Sequence, residues 1–302
     1  MQKVRMKQFL VYNACILSLL FSPCMKKASA GDDRINVTVS ILPQKYFVEK
    51  LGGSMVDVNV MIPPGHSPAT YEPSIRQMNR LYSSKIYFSI GHIPFESAWM
   101  KKIISVNKSM KIYDTSAGAE LISSGSAHSH GHEGDDHEYE VHVNPHIWLS
   151  PREVKSQAHV IFRALSEFDP DNTVLYKKNY EEFILELDKL DKRIREILSG
   201  LKKRKFIVYH PSWGYFARDY GLEEIPVEMD GKNPTAYHIR TLVDLANRED
   251  IRVIFIQSQF DTSQARTIAN EIKGTVVKID PLAEDWPGNM KKVSEAFRKA
   301  LE

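Results

Sequence analysis

Apolar and polar positions change period repeatedly along this chain. "INVTVSIL" (35–42) is rich in β-branched residues and predicts a strand. "QKYFVEKLGG" follows with helical spacing and stops at paired glycines. "VDVNVMI" then alternates up to Pro63-Pro64-Gly65. A helix is predicted near 74–84, a strand at "KIYFSI" (85–90), a helix near 95–106 and a strand at "MKIYD" (110–114). Strands that alternate with helices of this length predict a parallel sheet covered by helices.

The alternation breaks between residues 115 and 150 and resumes after two helices. The first opens at Ser150-Pro151, with proline in the first turn. The second spans 170–200, with apolar residues at 180, 183, 184, 187, 190, 194, 197 and 198 and a glycine at 200. That 3.6-residue period predicts one long amphipathic helix, roughly 40 Å at ~1.5 Å per residue. Strands at "KFIVYH" (205–210), "EEIPVE", "RVIFIQS" (252–258) and "TVVKID" (275–280) then alternate with helices to the end of the chain. The expected fold class is α/β: two (β/α)4-like lobes with parallel sheets, joined by one long rigid helix. The lobes resemble each other in architecture, without a sequence repeat.

The first thirty residues change how charge and cysteine are read. Lys3, Arg5 and Lys7 precede an apolar run from Phe9 to Phe21, and Ala28-Ser29-Ala30 fits a signal peptidase site. The run is too short to span a bilayer as a stable helix. A secretory leader over 1–30 is expected, placing the mature chain in the periplasm; a lipid anchor at Cys24 is the alternative. Without the leader, 40 less 5 leaves 35 basic residues against 38 acidic ones. Nothing in that balance suggests a nucleic-acid partner. Both cysteines, Cys15 and Cys24, go with the leader, so soft-metal chemistry must use imidazole and carboxylate. The expected organisation is 1–30 leader, 31–169 first lobe with a histidine-rich loop at 124–143, 170–200 linking helix, and 201–302 second lobe.

Metal-capable residues fall at strand ends. His66 lies just past "VDVNVMIPPG", His210 ends "FIVYH" and Asp280 ends "TVVKID". In open α/β sheets ligands bind beyond the carboxyl ends of the strands, so these residues can face one another across a cleft. His146, in "NPHIWLSP", sits between the histidine-rich loop and the next helix, where Trp148 can shield it. Three imidazoles and a carboxylate suit tetrahedral Zn²⁺, whereas manganese favours more oxygen. Each of these histidines taken singly is more simply a hydrogen-bonding strand-end residue; the combination carries the inference. His92 is placed beside the cleft, His159 and His238 on helix surfaces, and Glu72 and Glu96 among structural hydrogen bonds.

"PPGHSPATYEPSIRQM" (63–78), "NPHIWLSP" (144–151), "HPSWGYFARDYGL" (210–222), "QSQFDTSQARTIANEI" (257–272) and "IDPL" (279–282) together resemble the metal-binding component of bacterial zinc/manganese ABC importers, of the zinc type. The resemblance covers essentially all of 35–302. It implies an extracytoplasmic binding protein, not an enzyme, that captures zinc with high affinity and delivers it to a membrane permease, working as a monomer. Its metal ligands map onto His146, His210 and Asp280. The fourth family histidine follows a Ser-Pro pair, where this chain has Ala69; His66, three residues earlier on the same loop, is the expected substitute. Manganese capture and a secreted zinc hydrolase are the alternatives. His128, His130, His132, His137 and His142 sit among Ser, Gly, Asp and Glu, a composition that cannot bury itself. They are expected to be an accessory zinc collector or a solvated spacer.

Overall fold

A computed structural model describes residues 34–123, 143–228, 231–260 and 262–302. The leader with Cys24 and the five loop histidines lie outside the described residues. β1 (Ile35–Val39), β2 (Val56–Val60), β3 (Ile86–Ser89) and β4 (Lys111–Asp114) form one parallel sheet in the order β2-β1-β3-β4. β5 (Lys205–Val208), β6 (Glu223–Pro226), β7 (Val253–Ile256) and β8 (Thr275–Lys278) form a second in the order β6-β5-β7-β8. The two orders are the same, so the architectural likeness read from the sequence is a likeness of topology. All strands of a parallel sheet end on the same side, which gathers the residues after β2, β5 and β8 along one rim of each sheet.

Crossover helices cover the faces: α1 (Leu42–Gly52), α2 (Ile75–Arg80) and α3 (Pro94–Val106) in the first half, and α6 (Gly214–Tyr220), α7 (Ala236–Arg248) and α8 (Thr262–Glu271) in the second, which closes with α9 (Trp286–Leu301) after the last strand. Between the halves run α4 (Pro151–Phe168) and α5 (Thr173–Ile197). Boundaries moved where local chemistry intervened. β1 stops at Val39 because Pro43 already sits in the first turn of α1. The helix expected at 74–84 is α only to Arg80, and Leu81–Ser83 tighten into a 3-10 turn. The segment expected as one helix from 170 begins with a separate 3-10 turn, Pro170–Asn172, before α5 starts.

α5 buries Tyr176, Phe183, Leu187, Leu190, Ile194 and Ile197 along one stripe, as its period predicts, and leaves Leu185 outside. That stripe belongs to a core that is continuous between the two sheets. Trp286 at the start of α9 packs edge-to-face on Phe47 of α1 at 5.1 Å, and Phe47 meets Phe183 of α5 at 6.0 Å. Residues Arg34–Glu302 accordingly form one compact unit. No described helix is long and apolar enough to cross a membrane.

A shared core and a 25-residue helix without internal glycine or proline leave no hinge between the lobes. Small-angle scattering with and without zinc is expected to give the same radius of gyration. A marked contraction on adding zinc would show closure of a kind this core forbids.

Candidate metal centre

His210 is two residues beyond β5, followed by Pro211. Gln257, just past the neighbouring strand β7, donates from Nε2 to the His210 carbonyl (2.7 Å) and to Ser212 Oγ (2.8 Å), fixing the turn. The imidazole Nδ1 lies 3.3 Å from Oε1 of Glu228, a buried carboxylate that follows β6. Phe260 stacks on the ring at 5.2 Å and 22°. A carboxylate only accepts, so Nδ1 is the nitrogen that carries the hydrogen toward Glu228, and Nε2 is the one left to meet a metal. A metal-binding histidine is commonly oriented in this way.

His146 reaches the same state by a local route. Asn144 Oδ1 accepts from the His146 backbone N–H (3.0 Å) and lies 2.8 Å from its Nδ1. Because that oxygen is an acceptor, Nδ1 is again the protonated nitrogen and Nε2 is free. Asn144 is itself held: its N–H donates to the Ile122 carbonyl, and its carbonyl accepts from Tyr215 Oη at 2.7 Å. The residue as a whole is only partly covered, but Trp148 and His210 crowd its ring at 5.1 and 5.4 Å. Burial first, and then the second imidazole, hold His146 neutral well below the usual histidine range.

His146 and His210 therefore form a pair, 5.4 Å between ring centroids and at 72°. Asp280 is half-buried, with Oδ1 accepting from the Leu282 N–H at 2.9 Å. It lines a cavity of about 170 Å³ that it shares with Pro63, Pro64 and Gly65 of the β2–α2 loop. His66 follows Gly65, whose φ of 81° is the left-handed turn that glycine permits. The His66 ring is exposed, edge-on to Tyr71 at 5.0 Å, with Nδ1 3.2 Å from the Pro64 carbonyl. Two of the expected ligands are thus adjacent, while Asp280 and the loop carrying His66 border one cavity. Among the described residues, no three His, Cys, Asp or Glu side chains converge closely enough to hold an ion.

Glu228, Asn144 and Phe260 were not singled out from the sequence. Asn144 had a local signal, an Asx residue two positions before the histidine. Glu228 had none, since it reaches His210 from the adjacent strand, 18 residues later. Of the other polar candidates, His238 Nε2 sits 3.3 Å from the Pro226 carbonyl, and His159 packs on Tyr180 at 6.0 Å. His92 is exposed, with a φ of 61°.

Glu96 is a buried hydrogen-bonder. Its carboxylate accepts from Ser40 Oγ and from the N–H groups of Ile90 (2.8 Å) and Gly91 (2.9 Å), tying the ends of β1 and β3 together. Burial outweighs these bonds and raises its pKa from 4.5 to about 7. A carboxyl raised on folding binds its proton more tightly in the folded state. Its contribution to stability is complete below pH 4.5 and is lost as pH rises through 7. At ~1.4 kcal/mol per unit the loss is at most about 3.5 kcal/mol. Glu96→Gln is expected to flatten the dependence of the urea midpoint between pH 5 and 8. An unchanged dependence would show that Glu96 is not its source.

The sequence pattern of the family described as "Zinc-uptake complex component A periplasmic" matches residues 37–300. A crystal structure of ZnuA superposes with a TM-score of 0.82 at 40% identity, covering 89% of this chain and all of that one. The high-affinity zinc uptake system protein ZnuA of Bacillus subtilis is 26% identical over 275 residues, 87% of this chain and 84% of that protein. The zinc-binding lipoprotein AdcA of Streptococcus pneumoniae is 26% identical over 306 residues. The match takes in 98% of this chain but only 59% of AdcA.

Proposed function

Because the chain belongs to the ZnuA family of periplasmic zinc-uptake components, we propose that it captures zinc outside the cytoplasmic membrane and hands it to the permease of an ABC importer. The observation that carries the reading is the His146–His210 pair. Each ring has its Nδ1 committed to a protein acceptor, so each offers Nε2 to a cation. Two imidazoles oriented in this way favour zinc over manganese. Asp280 supplies the anionic ligand and His66 the third imidazole. Both have to turn: Asp280 from the Leu282 N–H, and His66 from Tyr71 and the Pro64 carbonyl. The 63–71 loop has the freedom to do so because His66 and Ala69 are on its exposed side. Capture then orders a loop instead of swinging a lobe. The site is a carrier's, filled by its cargo, and it has no turnover to perform. Residues 1–30 are the export leader that brings the chain to the metal.

Titration of zinc and of manganese against a chromophoric chelator tests the assignment. One zinc per chain is expected to bind tightly, with manganese weaker. Removing residues 124–139 is expected to leave that tight site intact and to abolish only weaker, additional binding by the loop histidines. The described residues on either side of the loop are paired with each other, Ser123 with Val143 and the Asn144 N–H with the Ile122 carbonyl. The shortened chain therefore keeps the base from which His146 projects. Loss of the tight site on deletion would make the loop the primary ligand source.

A further inference from the structure

The segments that carry His146 and Asp280 are fastened to each other by an indole. Trp148 is almost wholly buried, and its Nε1–H donates to the Pro281 carbonyl at 2.7 Å. Pro281 directly follows Asp280, and the loop from 280 to 285 has no regular structure of its own. The carbonyl of Trp148 in turn accepts from Nε1–H of Trp286 at 2.7 Å. Trp286 is also buried and anchored on Phe47. Asn289 of α9 donates to the carbonyl of Asp280 from the other side. The path of the Asp280 loop is thus set by side chains arriving from elsewhere. The one that comes from the His146 segment is Trp148, whose ring also stands 5.1 Å from the imidazole.

We propose that Trp148 is a positioning residue for zinc: its indole N–H fixes the backbone that carries Asp280 to the segment that carries His146, so that the carboxylate has only to turn about its side chain to join the imidazole on the metal. This rests on Asp280 and His146 being ligands. A buried indole that only packed would be replaced without loss by another ring of similar shape. A positioning indole acts through its hydrogen bond, because a ligand displaced by a fraction of an ångström loses metal affinity.

A double-mutant cycle separates the two roles. Zinc affinity is measured by chelator competition for the parent, Trp148→Phe, Asp280→Asn and the double variant. Trp148→Phe is expected to weaken binding about tenfold, equivalent to about 1.4 kcal/mol. In the Asp280→Asn background the same change is expected to cost less than about twofold, since the carboxylate it positions is gone. A full tenfold loss in both backgrounds would make Trp148 merely structural, and a parent-like affinity for Trp148→Phe would exclude it from zinc binding. A parent-like affinity for Asp280→Asn would remove the ligand assignment itself, and this inference with it. Should Trp148→Phe fail to fold, a benzothienyl side chain at 148 keeps the ring shape and removes only the N–H, with the same outcomes read from it.

Discussion

Replacing His210 with alanine is expected to weaken zinc binding by about a hundredfold, and replacing His146 is expected to do the same. Each change removes one of two imidazoles whose preparation the fold has already completed. Factors of ten correspond to ~1.4 kcal/mol, so a loss near 3 kcal/mol is asked of each ligand. The protein should survive either change, because the histidines stand at loop positions partly open to solvent. Their orienting partners give a graded version of the test. Glu228→Gln leaves an amide that can still accept from Nδ1–H, whereas Glu228→Leu leaves His210 free to rotate or change tautomer. The leucine variant is expected to lie between the parent and His210→Ala, in the 10- to 100-fold range associated with loss of such outer partners. Chelator competition on the parent and the four variants checks the order. Parent-like zinc affinity in both alanine variants would show that the pair is not the site.

The second large effect concerns His66. If it replaces the histidine missing at position 69, His66→Ala costs zinc affinity about as much as His146→Ala. The double change His66→Ala, Ala69→His should then recover part of the loss. Both positions lie on the exposed side of one loop, and the loop borders the cavity onto which Asp280 opens. Gly65, with its left-handed backbone, sets the turn immediately before His66 and is common to both versions. If His66→Ala binds zinc as the parent does, the site is His146, His210 and Asp280 completed by water, and Ala69 marks a ligand lost rather than moved.

The fold was legible because its signals are local and periodic. β-branched runs between turn residues gave the strands, and the stripe of α5 could be read position by position from Tyr180 to Leu198. The strand-end placement of His210 and Asp280 followed from the alternation alone. What could not be read depends on contacts between distant segments. The common core of the two sheets is made by Trp286, Phe47 and Phe183, which lie far apart in the chain. The Glu228 carboxylate meets His210 because β6 lies beside β5 in the sheet, and no spacing in the sequence announces that neighbour. The exposed placement of His66 was equally hidden, since its conformation is set by Tyr71 and the Pro64 carbonyl within a loop that has no period.

Anomalous diffraction at the zinc edge from zinc-soaked crystals tests the central claim most directly. The account predicts one strong peak within ~2.0–2.1 Å of Nε2 of both His146 and His210, with the Asp280 carboxylate turned toward it. The Nδ1 atoms should keep their bonds to Asn144 and Glu228. A strong peak remote from these two rings, or one bound through Nδ1, would contradict it.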